Sequence, residues 1–489
     1  MSLLVKFLKL AATILGVLLL TIYFVRAYDS RNMPPLGPEY RIEFEHEFDA
    51  SQEADVDWPA YLEIESKLAI EMAEKIHSDE RPDSPADRYS TDSLTFPDNY
   101  ALNWNYSYEM TAPAARGVAV LLHGLSDSPY SMRATAEALV RAGYNVVVPR
   151  MPGHGFAVGG LLEARWEDWA AVVRIAVRHA VQLPGSGRQL LLGGYSNGGL
   201  MAVDYALQCD DFDGLPCPDG LVLMSPAIAV TRLAAAANLH SAISWIPYFE
   251  KSKWQTILPE IDPFKFTSFP MRAGWEMYRF SRHTQKQLGQ AAKAAALPPI
   301  LTFQSVVDNT VTASAIVTNL YARLPDNGSE LVVYDVNRNS VVLHLVKNLP
   351  RDPASVFESV APLKFGVRIL RNRHRHGREV DVFTLAAGET EPAIEATDLQ
   401  WPVGIYSLSH IALPFRSDDP VYGDGSGRGE DDPGIVFGAL APRGEQGILR
   451  LSPAYFLRTR YNPFFGFQES YLVEWLNGLP TRAANVEAK

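Results

Sequence analysis

The chain has 489 residues, 47% of them apolar and 20% charged, and a net charge of −12. That composition belongs to a globular protein able to bury a full core, as one α/β domain with insertions or as roughly two or three units. The acidic balance offers no basic stripe to phosphates, which argues against a nucleic-acid partner and against purely electrostatic docking on anionic lipid. Residues 10–25 carry no charge and are flanked by Lys6, Lys9 and Arg26. With Lys9 snorkelling, residues 7–25 span a bilayer of about 30 Å at ~1.5 Å per residue. An uncleaved membrane anchor over 1–27 is preferred to a cleaved signal segment ending near Val25-Arg26-Ala27, because the apolar run exceeds an h-region of roughly 7–15 residues. Both readings export the rest of the chain to a periplasmic or extracytoplasmic space, and positive residues on both flanks specify orientation only weakly.

Residues 28–99 are polar and acidic and are expected to form a stalk and linker that pack on the core, with an amphipathic helix at 61–76 and a Pro-, Asp- and Ser-rich connection at 79–87. Residues 102–110 alternate like a half-exposed strand, and 117–122 is the continuous apolar run of a buried one. Strand and helix then take turns: strands at 117–122, 145–149, 188–194, 220–224, 298–306 and 330–336, helices at about 129–142, 166–182, 198–207 and 312–324. The alternation predicts an α/β fold with a mostly parallel central sheet and helices on both faces, its core at 100–226 and 298–470. Two excursions interrupt it. Residues 227–297 read as a helical cap rich in Ala and aromatic residues, and 337–400 as a second insertion with a helix at 355–370 and a strand at 379–385. A C-terminal helix and tail occupy 471–489.

Only two cysteines occur, Cys209 and Cys217, with no further Cys or His beside them. No metal site and no cofactor are expected; in an oxidising compartment the two would close a small loop, the alternative being two free thiols.

Gly194-Tyr195-Ser196-Asn197-Gly198 follows the apolar run Leu190-Leu191-Leu192-Gly193. Glycines two residues either side of a serine between strand and helix fit a nucleophile elbow, where the two elements pass too close for side chains. A serine hydroxyl is a weak nucleophile at neutral pH and needs a base and an acid that orients the base. Asp308, after the strand at 298–306, is the candidate acid, the plainer alternative being a helix N-cap. For the base, His410 in the loop-like Ser407-Leu408-Ser409-His410-Ile411-Ala412 is preferred to His344, which lies in an apolar stretch suited to a structural imidazole. Long insertions are cheap, at about 0.6 kcal/mol per doubling of a loop, so the distance from Asp308 does not exclude His410. His374 and His376 read as a solvated basic patch. His123-Gly124-Leu125-Ser126, between strand and helix, is where an oxyanion donor belongs, and the backbone N–H groups of Leu125 and Asn197 form the candidate pair. His123, Gly124, Gly194 and Gly198 are supporting residues, with His154 in Pro152-Gly153-His154-Gly155 structural.

These segments together resemble the α/β-hydrolase fold, in the branch of monoacylglycerol lipases, lysophospholipases and serine aminopeptidases, over about residues 100–470. Residues 262–270 and the His410 loop resemble exported, membrane-anchored bacterial hydrolases of that branch. The resemblance implies Ser196 as nucleophile, Asp308 as acid and His410 as base; the chain departs from the pattern where 337–340 and the long insertion replace a short loop to a Gly-His pair.

The implied activity is hydrolysis of carboxylic esters through an acyl-enzyme. Ile243, Trp245, Ile246, Phe249 and Trp254 in the cap suit a lipophilic substrate, although most such aromatics serve cap packing. A serine aminopeptidase acting on short peptides would share the triad and need acids to grip a free amine, for which Glu250, Glu260 and Asp262 are available. A non-catalytic, membrane-tethered binding protein is the third reading. Nothing in the sequence specifies an oligomeric state.

Overall fold

In the computed structural model the described residues are 2–76, 86–228, 247–308, 313–339, 351–374, 377–427, 436–440 and 457–479. Ile243, Trp245, Ile246, His344, His376 and most of the 79–87 connection lie outside them. The strands in chain order are β1 (Tyr108–Met110), β2 (Gly117–Leu122), β3 (Tyr144–Val148), β4 (Leu190–Tyr195), β5 (Gly220–Met224), β6 (Trp254–Thr256), β7 (Phe269–Pro270), β8 (Ile300–Ser305), β9 (Glu330–Tyr334), β10 (Gly366–Asn372), β11 (Glu379–Leu385), β12 (Ala393–Gln400), β13 (Ile405–Leu408), β14 (Ala439–Leu440) and β15 (Leu457–Thr459). Ten form the central sheet in the order β1-β3-β2-β4-β5-β8-β9-β10-β11-β12. From β3 to β10 neighbouring strands run parallel, as in Val118↔Leu190 and Leu221↔Ile300. Strands covered on both faces must be apolar throughout, and every residue of β2, β3, β4 and β5 is buried. Helices Trp166–Ala180 and Asn197–Gln208 cover one face of the sheet, Arg133–Arg141 and Phe465–Gly478 the other.

Three expectations change in the structure; one is the C-terminal helix, expected from 471, which spans Phe465–Gly478. The helix expected at 355–370 is the short helix Pro353–Glu358 followed by strand β10. Pro362, which lacks a backbone N–H, stops the helix, and Val367 and Leu370 then pack on opposite faces of the sheet. β10 pairs parallel with β9, and β11 and β12 add antiparallel strands, so the second insertion widens the sheet. The strand expected at 102–110 is confined to β1, an antiparallel edge on β3. In the described part of the 227–297 excursion, the β6–β7 hairpin precedes the helices Met271–Leu288 and Ala291–Ala295.

The first helix, Ser2–Asn32, contains the apolar stretch Val5–Val25, with a mean hydropathy of 2.2 and solvent on all sides. This single apolar helix is long enough for a signal anchor or a signal peptide. The chain after it runs over the core: Glu53 pairs with Arg174 at 2.8 Å, and helix Trp58–Ile76 buries Trp58, Tyr61, Glu65 and Leu68. Cys209 and Cys217 form a disulfide at the end of helix Asn197–Gln208.

Candidate active site

The sheet order reverses between β2 and β4, which opens a crevice at the carboxyl ends of these strands, and the candidate residues lie on the loops around it. Ser196 links β4 to helix Asn197–Gln208 with φ 54° and ψ −113°, a conformation that L-residues rarely adopt. Among the described residues the other non-glycine positions with positive φ are Ser126 and Ser225, after β2 and β5, so the backbone strain is concentrated at this end of the sheet. Ser196 is locked by three backbone bonds: its N–H donates to the Met224 carbonyl at 2.9 Å, and its carbonyl accepts from Leu200 at 3.2 Å and Ala227 at 2.9 Å. The flanking glycines are steric requirements. A Cβ on Gly194 would stand 2.2 Å from the Gly198 carbonyl carbon, and one on Gly198 only 1.8 Å from the Leu122 oxygen.

Ser196, Asp308 and His410 come together. His410 Nε2 lies 3.0 Å from Ser196 Oγ, and His410 Nδ1 lies 2.7 Å from Asp308 Oδ2. Ser196 is 7% exposed and the His410 side chain 13%, so both keep a small accessible surface, while the Asp308 side chain is fully buried. Gln304 Nε2 donates to the same Asp308 oxygen at 3.1 Å, and the Tyr195 ring packs 5.2 Å from the imidazole.

The long detour to His410 closes on itself. Asn337, where the chain leaves β9, donates its N–H to the Tyr406 carbonyl at 2.7 Å and its side-chain amide to Ile405 at 2.9 Å. Ser305 at the end of β8 donates to the Leu408 carbonyl at 3.1 Å, and Ser409 donates to Thr459 in β15 at 2.8 Å. His410 therefore hangs from a strand tied to β8, the strand that carries Asp308.

His123 does not face the serine. Its Nε2 accepts from the Met151 N–H at 2.9 Å, so Nδ1 carries the proton and donates to the Gly124 carbonyl at 2.9 Å. Burial holds this imidazole well below its usual pKa, and likewise pushes His154, beside it at 5.0 Å, down to about 4. Both are neutral bracing groups. The loop after Gly124 is held from the other side by residues 262–266: the Phe266 N–H donates to the Ser126 carbonyl at 2.8 Å, and Lys265 pairs with Asp127 at 2.8 Å. Among the described residues, the N–H groups of Leu125 and Asn197 have no backbone acceptor. His374 is exposed.

The acids of the cap are engaged. Glu250 pairs with Arg41 at 2.8 Å, and Glu260 accepts the Thr267 and Ser268 N–H groups at 2.9 and 2.8 Å. Asp262 accepts from Tyr422 at 2.5 Å and Arg460 at 2.7 Å. Sequence reasoning missed Gln304; an amide in the second half of a buried strand, four residues before Asp308, is its signal. It also missed the buried Arg150, treated below.

The family described as serine aminopeptidase, S33, matches residues 113–338. Over those residues the chain is similar to α/β-hydrolases, monoacylglycerol lipases among them. The thermostable monoacylglycerol lipase of Bacillus sp. (strain H-257) is 33% identical over 110 residues, which are 22% of this chain and 42% of that relative; the chain thus matches less than half of the relative's length. Among solved structures, the monoacylglycerol lipase of Paleococcus ferrophilus is 20% identical with a TM-score of 0.36, over 47% of this chain and 88% of that one. Est1E from Butyrivibrio proteoclasticus, with ferulic acid bound, is 18% identical with a TM-score of 0.34, over 47% and 84%. His410 lies beyond the matched residues.

Proposed function

We propose that the chain hydrolyses carboxylic esters through an acyl-enzyme, with Ser196 as nucleophile, His410 as base and Asp308 as the acid that orients it. One observation carries the reading: the continuous hydrogen-bonded series Ser196 Oγ, His410 Nε2 at 3.0 Å, His410 Nδ1, Asp308 Oδ2 at 2.7 Å. Asp308 keeps the proton of the resting imidazole on Nδ1, which leaves Nε2 free to take the serine proton as Oγ attacks the ester carbonyl. The tetrahedral oxyanion is stabilised by the Leu125 and Asn197 N–H groups, each worth about 3–4 kcal/mol in a transition state. His410 returns the proton to the leaving alcohol, and water repeats the sequence to release the acid.

Ester cleavage is favoured over aminopeptidase action because Glu250, Glu260 and Asp262 are already paired within the protein and leave no carboxylate for a substrate ammonium. A lipophilic ester agrees with what the Bacillus and Paleococcus relatives are named for, and with an apolar helix that would hold the enzyme beside lipid. The same helix, together with the disulfide, supports an anchored domain in an oxidising, exported location.

A fluorophosphonate probe is expected to label Ser196 in the wild type and not in Ser196→Ala, and p-nitrophenyl esters to be turned over in preference to aminoacyl anilides. A well-folded wild type that neither reacts with the probe nor cleaves esters would refute the proposal.

A further inference from the structure

Arg150, at the carboxyl end of β3, is fully buried, and the carboxylates that pair with it come from outside the matched residues. Its Nη1 and Nη2 donate to the two carboxylate oxygens of Glu47 at 3.0 and 2.9 Å, and its Nε to Glu65 at 3.2 Å. Nη1 also donates to the carbonyls of Met151 at 3.2 Å and His154 at 3.1 Å. Glu47 takes the Gly153 N–H at 2.9 Å, Tyr61 donates to the Arg150 carbonyl at 2.7 Å, and Glu65 holds Ser107, whose hydroxyl accepts the Arg150 N–H at 2.8 Å. The turn at 151–154 is therefore gripped by carboxylates delivered by the chain that leaves the apolar first helix.

That turn meets the oxyanion loop at His123. The Met151 N–H fixes the His123 tautomer, and His123 Nδ1 holds the Gly124 carbonyl at 2.9 Å. In a trans peptide the carbonyl and the following N–H point in opposite directions, so pinning the Gly124 oxygen on one side aims the Leu125 N–H to the other. A buried ion pair is a costly way to gain stability alone, whereas it holds a geometry firmly, because a carboxylate and a guanidinium meet in few arrangements.

We propose that Glu47 and Glu65 are positioning residues for the oxyanion loop, acting through Arg150, the 151–154 turn and His123. The inference rests on the ester-hydrolase reading, since it assigns the Leu125 N–H to the oxyanion. It gives the segment between the apolar helix and the sheet a part in the chemistry: a displacement near Glu47 or Glu65 shifts a donor in the site.

The test uses the full chain with Glu65→Gln, Glu47→Gln and Tyr61→Phe, assayed on a p-nitrophenyl ester with rates divided by the concentration of sites titrated with fluorophosphonate. Misplacing a catalytic group by a fraction of an ångström to one ångström costs up to about 10²-fold. The expected result is a fall in kcat of about 10- to 100-fold for the glutamate variants with KM within about threefold, and a parallel loss of affinity for a boronate transition-state analogue. A purely structural role would lower the yield of titratable sites or the melting temperature and leave kcat per site unchanged. Values of kcat per site within about twofold of wild type in the folded glutamate variants would overturn the inference. If Glu65→Gln does not fold, Glu47→Gln, at a partly exposed carboxylate, and Tyr61→Phe decide by the same criterion. A wild type that lacks esterase activity and labelling would instead refute the ester-hydrolase reading, and this inference with it.

Discussion

Replacing Ser196 by glycine should remove the chemistry and relax the backbone at once, and comparison with alanine separates the two effects. Both variants lose the hydroxyl and its 3.0 Å contact with His410, a hydrogen bond worth about 1 kcal/mol. Alanine keeps a Cβ at φ 54°, ψ −113°, so it keeps the strain. Glycine removes it, and a residue forced into such a region costs about 1–3 kcal/mol. Against this stands the greater freedom of glycine in the unfolded chain, about 0.5–1 kcal/mol. The difference leaves Ser196→Gly more stable than Ser196→Ala by about 1 kcal/mol, read from urea unfolding with a common slope. Three backbone hydrogen bonds hold residue 196 in place, so the turn is expected to survive the change. A glycine variant less stable than the alanine variant would refute the claim that the turn stores strain at this residue.

His410→Ala should lower kcat on esters by about 10⁴- to 10⁶-fold while leaving far-UV circular dichroism unchanged. Asp308→Asn should lower it by about 10⁴-fold, checked by single-turnover acylation. Asp204, buried on helix Asn197–Gln208 between Thr284 at 2.9 Å and Gln208 at 2.7 Å, has its pKa raised by burial from 3.8 to about 7. Between these values the folded state holds a proton that the unfolded chain has released, so stability falls as pH rises through that window, by at most ~4 kcal/mol. Asp204→Asn should flatten the decline between pH 4 and 7 in urea midpoints; parallel profiles for variant and wild type would count against a protonated Asp204.

The parts legible in the sequence were those with short-range signals. The short apolar runs of β2, β4 and β5, bounded by turn residues, read as buried strands, and Gly194 and Gly198 around Ser196 announce a turn with no room for side chains. Choosing between His410 and His344 needed long-range information. The bonds from Asn337 to Ile405 and Tyr406, which close the insertion, leave no periodicity to read. The helix expected over β10 reflects an apolar spacing of 355–370 that suits either period, interrupted by Pro362. The grip of Glu47 and Glu65 on Arg150 was hidden for a different reason: charged residues in a polar segment ordinarily face solvent, and only the folded chain turns them inward.

On the proposed reading, the detour through β10, β11 and β12 also sets how late in synthesis the triad is complete. Ser196 and Asp308 precede the imidazole, which arrives only with residue 410, and the neighbouring Ser409 is tied to Thr459. A nascent chain stopped before residue 410 would carry the proposed nucleophile without its proposed base.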